Sequence, residues 1–378
     1  MARKLPFDYA VRNLARRPGR TLVTAGSSAL VAGLLVATAS FVRGLSNTFS
    51  SAARTDTAIL LNNASEGDIV RSAISSGIDA FVLAEVPGVV EVSSEIHMGT
   101  TLQIDGSDYP AFVRGVTPAA YRVHEVVTLV EGRLPGPGEV MVGRLAESQM
   151  GALPGTLSVG ATLLLEGAEF QVSGLFVAPG TTMEAEVWTP LAPLRGLAQR
   201  GDDSAAFVRM ESDDFGRLSL WVNRRLDLEL LMMPTTEYYG ALTAYFAPIR
   251  AAAWALAALI GLSALFGGAN TLNAAVIDRQ RELATLRAMG YSPYAMVRAL
   301  AQESVLVACA GGVLGLLLAR LLLSGSAVRI AMSAFSLQLD AVSILVGIAG
   351  SFLLGILGAG PAALRVLKMP VARALKDS

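Results

Sequence analysis

Four long stretches without a charged residue constrain the fold of this chain more than any other feature. They are Thr21–Val42, Ala251–Ile277, Ser304–Ala319 and Ala341–Leu364. A helix needs about 20 residues to cross the hydrocarbon of a bilayer. The third stretch reaches that length if Arg320 extends its charge to the interface and Leu321–Leu323 complete the span. Only 16% of the residues are charged, against about 25% in soluble domains. The sequence therefore predicts a membrane α-helical protein with four transmembrane helices.

The basic residues predict how these spans are oriented. Arg and Lys cluster before the first stretch, between the second and third, and after the fourth. Because cytoplasmic flanks carry the excess of Arg and Lys, both termini are expected in the cytoplasm. The segment Arg43–Arg250 then lies outside, with 14 Arg and no Lys against 25 Asp plus Glu, a net charge of about −11. Such an acidic segment argues against nucleic acid or an anionic lipid surface as its partner.

The outer segment is long enough for its own core, and its pattern predicts an extracytoplasmic α+β domain, with two lobes. Strand and hairpin signals alternate with helical spacing. The expected elements are a strand at Ala58–Leu61, a helix at Ile78–Glu85, hairpins about Asp105–Gly106 and Glu166–Gly167, a helix over Phe215–Leu231, and a helix over Thr235–Ala247 that runs into the second span.

Known catalytic and metal-binding patterns are missing from the sequence. The one cysteine, Cys309, lies in the third span, and His97 and His124 are far apart without metal-ligand spacing. Both histidines are therefore interpreted as surface or core residues. None of the three lysines follows a glycine, so there is no phosphate-binding GxxxxGK[ST] loop. The chain is predicted to be a non-catalytic membrane subunit without a cofactor or metal of its own.

Charge is also nearly absent from the middle of the spans, because Glu303 and Arg320 lie near the ends of the third. This disfavours ion-driven transport, which usually needs an ionisable group at mid-membrane. Small residues recur at four-residue spacing in three spans, and such spacing lets helix backbones approach closely. It indicates either packing within the chain or a dimer seam. The residues are Ser263 and Gly267, Gly311 and Gly315, and Gly347, Ser351 and Gly355.

The polar segment Asp278–Glu303, here called the elbow, separates the second and third spans. Its sequence predicts two helices that meet at a tight break over Gly290–Pro293. Gly290 is suited to a left-handed helix C-cap, Ser292 to the next N-cap, and Pro293 to the first position of the second helix. Met289, Tyr291 and Tyr294 would be exposed around this fixed turn, which indicates a docking surface for a partner.

These readings divide the chain into nine consecutive segments. They are a cytoplasmic amphipathic helix at 1–20, a span at 21–42, the outer domain at 43–247, a span at 248–277, the elbow at 278–303, a span at 304–323, a short outer loop at 324–340, a span at 341–364, and a cytoplasmic tail at 365–378.

The elbow sequence RELATLRAMGYSPYAMVRALAQESVL resembles the segment that follows the second span in MacB/FtsX-like ABC transporter permeases. Matches to that family pattern fall at Glu282, Leu286, Arg287, Ala288, Met289, Gly290, Arg298 and Glu303. AVRNLARRPGRTLVTAGS resembles the family's N-terminal helix, and PAALRVLKMPVARALK resembles its C-terminal tail. The outer segment also fits the family pattern, in the stretches DAFVLAEVPGVVEVS, EVMVGRLAE and VGATLLLEGAEFQVSGLF. The resemblance covers nearly the whole chain.

The resemblance implies a type VII ABC permease in a bacterial inner membrane. Its partners would be a dimer of separate ABC ATPase subunits, which bind ATP and Mg, a second permease copy or paralogue, and a periplasmic adaptor. ATP-driven motion of the ATPase would pass through the elbow and the spans to the outer domain, for efflux or for release of lipoprotein or lipid. The implied docking residues are Glu282, Leu286, Arg287, Met289, Gly290, Tyr291, Ser292 and Tyr294.

Two alternatives remain open at the level of the sequence. One is an FtsX-like signalling subunit that activates a cell-wall hydrolase and transports nothing. The outer domains of that branch are usually smaller than the segment of about 200 residues here, which disfavours it. The other is a membrane-anchored binding module, which leaves the elbow unexplained.

Overall fold

A computed structural model describes residues 12, 14, 16, 18–323, 327–330, 333–337 and 339–368. The chain divides into two compact units. The membrane unit contains Met1–Val42, Pro248–Ser324 and Leu337–Ser378, and the outer unit contains Arg43–Ala247 and Gly325–Ser336. Most of the predicted helix at 1–20, and residues 369–378 of the predicted tail, lie outside the described residues.

The helices and strands are numbered here in chain order. The helices are α1 Pro18–Ser50, α2 Ile78–Glu85, α3 Ala120–Val123, α4 Ala146–Met150, α5 Leu191–Leu197, α6 Gly216–Arg224, α7 Thr235–Tyr245, α8 Ala247–Asp278, α9 Gln280–Ala288, α10 Pro293–Leu323, α11 Ala341–Gly358 and α12 Gly360–Lys368. The strands are β1 Thr57–Asn62, β2 Ile74–Ser75, β3 Val89–Ile104, β4 Ser107–Val116, β5 Thr128–Gly132, β6 Glu139–Gly143, β7 Thr162–Leu165, β8 Ala168–Val177, β9 Val187–Pro190, β10 Asp202–Asp203, β11 Ala205–Met210, β12 Leu230–Pro234, β13 Ala327–Ile330 and β14 Ser333–Ser336.

Four helical segments of the described chain are long and apolar enough to cross a membrane, which confirms the prediction of four spans. They are Thr21–Ser50, Ala247–Asp278, Pro293–Leu323 and Ala341–Lys368. The first helix continues eight residues past the predicted end of its span at Val42. The fourth segment is interrupted at Ala359, between α11 and α12. Pro361 has no N–H to donate to the carbonyl of Leu357, so a regular α-helical ladder cannot continue through this position.

Close packing of small residues joins three of the spans inside the membrane unit. A side chain on Gly311 or Gly315 of α10 would come within 2.4 Å of the carbonyl oxygen of Ala25 or Ala29 on α1. On α11, a side chain at Gly347 would meet Val36 of α1 at 2.4 Å. Packing within the chain therefore accounts for the small residues of the third and fourth spans. Gly267 of α8 has no such neighbour within 4 Å, so a dimer seam remains a prediction for the second span.

A mixed sheet forms the centre of the outer unit. In the described chain its order is β12-β1-β11-β3-β4-β9-β6-β8-β5, and β7 pairs with β3 and β8. The pairs β4–β9 and β6–β8 are parallel. One apolar cluster forms around Ile96, Val113 and Val142, and another around Leu60, Val208 and Trp221. This is the predicted α+β domain, although one sheet runs through both clusters and the two-lobe division stays a prediction.

The short-range predictions in the outer unit are confirmed where turn chemistry determines the structure. Asp105 and Gly106 have φ of 50° and 77°, and Glu166 and Gly167 have 50° and 78°. Positive φ at both central residues is the requirement of a type I′ two-residue hairpin turn. These turns connect β3 to β4 and β7 to β8.

Two predictions in this unit were wrong in part. The helix expected over Phe215–Leu231 ends at Arg224, and Leu230–Pro234 forms β12 instead. Pairing with β1 along the sheet edge overrides the helical spacing there. The outer loop expected at 324–340 contains a hairpin, β13–β14, whose second strand packs on the short helix Thr182–Ala185.

Candidate functional site

The elbow is a packed helical hairpin. Leu283 and Ala284 of α9 are buried, and they share an apolar cluster with Met296 and Leu300 of α10. The same cluster takes in Ala362 and Val366 of α12. The apolar side of α9 is thus held against two other helices of the membrane unit, so the elbow has a defined shape before any partner binds.

The break between the two helices is a Schellman motif. Gly290 has φ of 93°, a conformation that costs glycine little because it has no Cβ. Its N–H donates to the carbonyl of Arg287 at 3.0 Å, and the N–H of Tyr291 donates to the carbonyl of Leu286 at 3.1 Å. These two bonds satisfy carbonyls that the end of α9 would otherwise leave unpaired. The predicted C-cap at Gly290 is confirmed.

The second helix starts immediately after this turn. The Ser292 hydroxyl accepts the N–H of Ala295 at 3.2 Å, the contact expected of an N-cap residue. Pro293 is the first residue of α10, where its missing N–H costs nothing. Cap and turn together leave little freedom between α9 and α10.

A buried ion pair closes the base of the elbow. The guanidinium nitrogens of Arg279 lie 3.3 and 3.4 Å from the carboxylate oxygens of Glu303, and the two side chains are 11% and 10% exposed. The pair joins the start of α9 to the second half of the elbow. The pair was not predicted from the sequence, although two opposite charges that flank an otherwise amphipathic hairpin are a usable signal.

The predicted docking residues separate into two groups in the structure. Tyr294 is 75% exposed and Met289 53% exposed, and Gly290 between them is also exposed. The rest of the predicted set is half-buried: Glu282, Leu286, Arg287, Tyr291 and Ser292. The prediction that Tyr291 is exposed was therefore wrong. Leu286 packs against the apolar cluster, and Tyr291 and Ser292 form the turn and the cap. The surface that could meet a partner therefore centres on Met289, Gly290 and Tyr294.

A second polar constellation, inside the outer unit, was not anticipated. Arg114 of β4 donates to Glu95 of β3 at 2.9 Å and makes two bonds with Glu186 at 2.7 and 2.8 Å. The ring nitrogen of His124 lies 2.7 Å from Glu95, and that of His97 lies 3.1 Å away. All five side chains are buried. Both histidines are thus core residues, one of the two interpretations made from the sequence.

Charge pairing controls the protonation of this buried network. Burial alone would raise the pKa of Glu95, but attraction to His124 and Arg114 outweighs it and holds that pKa well below its usual value. Burial and the Arg114 charge together lower the pKa of His97. Among the described residues there is no group of three His, Cys, Asp or Glu side chains suited to hold a metal ion. The arrangement is that of a structural crosslink between strands.

Comparison with known proteins assigns the two units to known families. Residues 254–371 match the FtsX-like permease C-terminal family, and residues 21–215 match the MacB-like periplasmic core domain. No match was found among curated proteins. The periplasmic region of MacB from Actinobacillus actinomycetemcomitans is 16% identical, with a TM-score of 0.40, over 50% of this chain and 94% of that one. The extracellular domain of the noncanonic ABC-type transporter YknZ from Gram-positive bacteria is 18% identical, with a TM-score of 0.37, over 47% of this chain and 99% of that one.

The matched families define a class of multi-pass membrane protein, the permease component of ABC transporters. Within that class, the chain belongs to the MacB/FtsX-like ABC transporter permeases.

Proposed function

We propose that this permease transmits the ATP-driven motion of a partner ABC ATPase to its outer unit, for export or extraction of a substrate. The observation that carries this proposal is the elbow: a doubly capped turn that exposes Met289 and Tyr294 on an otherwise packed helical hairpin. An exposed aromatic and a methionine at a fixed turn are suited to fill a pocket on a partner.

The structure of the elbow suits the transfer of force. A push on the turn moves α9 and α10 together, because the apolar cluster and the Arg279–Glu303 pair join them. The helix α10 runs without a break for 31 residues, which is about 46 Å at the rise of an α-helix. A displacement at the turn would therefore reach the far end of the third span without a hinge in between.

The remaining parts of the proposal concern the assembly. ATP and Mg are bound by the ATPase subunits and not by this chain, and a second permease copy or paralogue completes the membrane part. The protein lies in the bacterial inner membrane with both termini in the cytoplasm, which supports contact between the elbow and a cytoplasmic ATPase. A periplasmic adaptor is a further proposed partner of the outer unit.

The test is co-purification of the ATPase with elbow variants. The double variant Met289→Ala/Tyr294→Ala is expected to lose at least tenfold in ATPase association. Tyr245→Ala is the matched control, because Tyr245 is 78% exposed but lies in the outer unit. Association of the double variant within twofold of the control would overturn the docking role. Thermal melting of the detergent-solubilised protein checks that the variants are folded.

A further inference from the structure

The chain enters and leaves the outer unit through adjacent strands. The incoming segment follows α1 and leads into β1, and the outgoing strand β12 leads into α7. β1 and β12 are antiparallel neighbours, with Ala58 opposite Pro234 and Asn62 opposite Leu230. The first residues of β1 therefore lie beside the last residues of β12, although about 180 positions separate them in the sequence.

One buried hydroxyl fastens the two connections together. The Thr235 side chain accepts the N–H of Arg54 at 3.1 Å and lies 2.7 Å from the hydroxyl of Thr57. It also lies 2.9 Å from the carbonyl of Arg54 and 3.1 Å from that of Thr57. A hydroxyl has one proton and two lone pairs, so these contacts use its full capacity. Thr235 is thus tied to the incoming segment at two residues.

An aromatic pair makes a second fastening. Phe49 in the last turn of α1 stacks on Phe246 at the end of α7, with ring centroids 5.3 Å apart and planes 13° from parallel. Phe49 is buried. Phe49, Arg54, Thr57, Thr235 and Phe246 are here called the clasp.

Charged contacts connect the clasp to the sheet. Arg54 pairs with Asp56 at 2.8 Å and with Glu125 at 2.5 Å. Glu125 in turn pairs with Arg209 of β11 at 2.7 Å. These pairs are partly exposed and individually weak, but they extend the same connection from the incoming segment to a second strand.

We propose that the clasp makes the two connections of the outer unit move as one body with the sheet, and that Thr235 is the positioning residue for this coupling. The inference rests on the proposed function. Residues 51–56 between α1 and β1 contain no regular helix or strand, so without the clasp this segment would act as a hinge. With the clasp, a displacement of α1 reaches α7 and the sheet through a buried hydrogen-bonded centre.

The main test compares Thr235→Val with Thr235→Ser in the full permease–ATPase complex in lipid nanodiscs. Valine keeps the shape of threonine but lacks the hydroxyl, whereas serine keeps the hydroxyl. In a Cys309→Ala background, spin labels at Leu153→Cys, an exposed position of the outer unit, measure the distance between the two permease copies with and without a non-hydrolysable ATP analogue. Thr235→Val is expected to lose at least half of the nucleotide-dependent change and to keep ATPase activity within twofold. Thr235→Ser is expected to match the wild type.

Full retention of the distance change in Thr235→Val would overturn the proposed role of the clasp but not the proposed function of the permease. Absence of any nucleotide-dependent change in the wild type would overturn the proposed function and the clasp with it. A second variant keeps the test valid if Thr235→Val is unstable. For this variant the spin label at position 153 is carried by a genetically encoded amino acid, so that only the new cysteines react with thiol reagents. Phe49→Cys/Phe246→Cys, bridged by a short bismaleimide, is expected to keep the full distance change, because the bridged residues already move together. Loss of the change on bridging would show that the clasp must open, which contradicts the inference.

Discussion

The elbow and the outer unit hold their shapes in opposite ways. The turn of the elbow relies on hydrogen bonds between neighbours in the sequence, and Met289 and Tyr294 are exposed beside it. The outer unit buries a network of charged and titratable groups around Glu95 and Arg114, brought together from distant segments. The difference separates a surface that we propose meets a partner from an interior that crosslinks the strands of a sheet. It also predicts different responses of the two regions to mutation and to pH.

The largest expected effect is a loss of stability that differs between the two buried ion pairs. Arg114→Met leaves Glu95 and Glu186 buried without their guanidinium and should destabilise the outer unit by about 3–5 kcal/mol. Arg279→Met removes a longer pair from the elbow and should cost about 2 kcal/mol. Chemical denaturation in detergent reports the first when it is followed by tryptophan fluorescence in a Trp221→Phe/Trp254→Phe background, where only Trp188 emits. Arg114 lies 5.2 Å from that ring. Equal and small losses in the two variants would contradict the comparison.

Acid should weaken the outer unit by a smaller amount, because Arg114 keeps its charge at low pH. The folded pKa of His97 lies below its ordinary value of 6.5, so the unfolded chain takes up a proton first and stability falls as pH drops below about 6.5. The folded pKa of Glu95 lies below its ordinary 4.5. The stabilisation that ionised Glu95 gives the folded state is therefore present above pH 4.5. It is lost as pH falls through the pKa of Glu95 in the folded state.

Two other buried carboxyls change the stability of the outer unit with pH in the opposite direction. Burial raises the pKa of Glu184 and of Asp203, so their protonation on folding favours the folded state as pH falls. The measurement is therefore a difference between wild type and Glu95→Gln, taken from melting temperatures across pH 7 to 3. The wild type should have the higher melting temperature at pH 7, and the difference between the two melting temperatures should close on acidification. A gap that stays constant would rule out the assigned role of Glu95.

The smallest effect concerns the turn of the elbow. Gly290→Ala forces a Cβ into a left-handed conformation and should cost about 1–2 kcal/mol, with reduced ATPase association. Gly268→Ala is the control, because neither glycine has a heavy atom within 4 Å of its would-be Cβ, and only Gly290 has a positive φ. In the interior of α8 the alanine should be neutral or stabilising. Comparable losses at the two positions, measured by thermal melting, would show that backbone conformation at Gly290 is not the cause.

The same contrast explains what could be predicted from the sequence. Gly290, Ser292 and Pro293 act through bonds within five residues, so their roles follow from local stereochemistry. The turns at Asp105–Gly106 and Glu166–Gly167 were predictable for the same reason. The spans follow from length and charge alone.

Other features depend on pairing across the chain, which local patterns do not encode. The bond between Arg114 and Glu186 joins residues 72 positions apart, and Thr235 meets Arg54 across 181 positions. The helical spacing that ends at Leu226 lies before β12, and Leu230–Pro234 pairs with β1 because the sheet edge offers backbone partners. Within the elbow, the exposure of Tyr294 was predictable, whereas the inward packing of Leu286 depends on an apolar cluster that includes residues of α8 and α12.

Photo-crosslinking from the elbow in the intact permease–ATPase complex tests directly whether the elbow docks on the ATPase. A photoreactive phenylalanine is placed at position 294 or 289, with position 245 of the outer unit as the control. If the elbow docks on the ATPase, we expect a crosslink to the ATPase from the two elbow positions and none from position 245. An intact, active complex without any crosslink from 294 or 289 would contradict this docking.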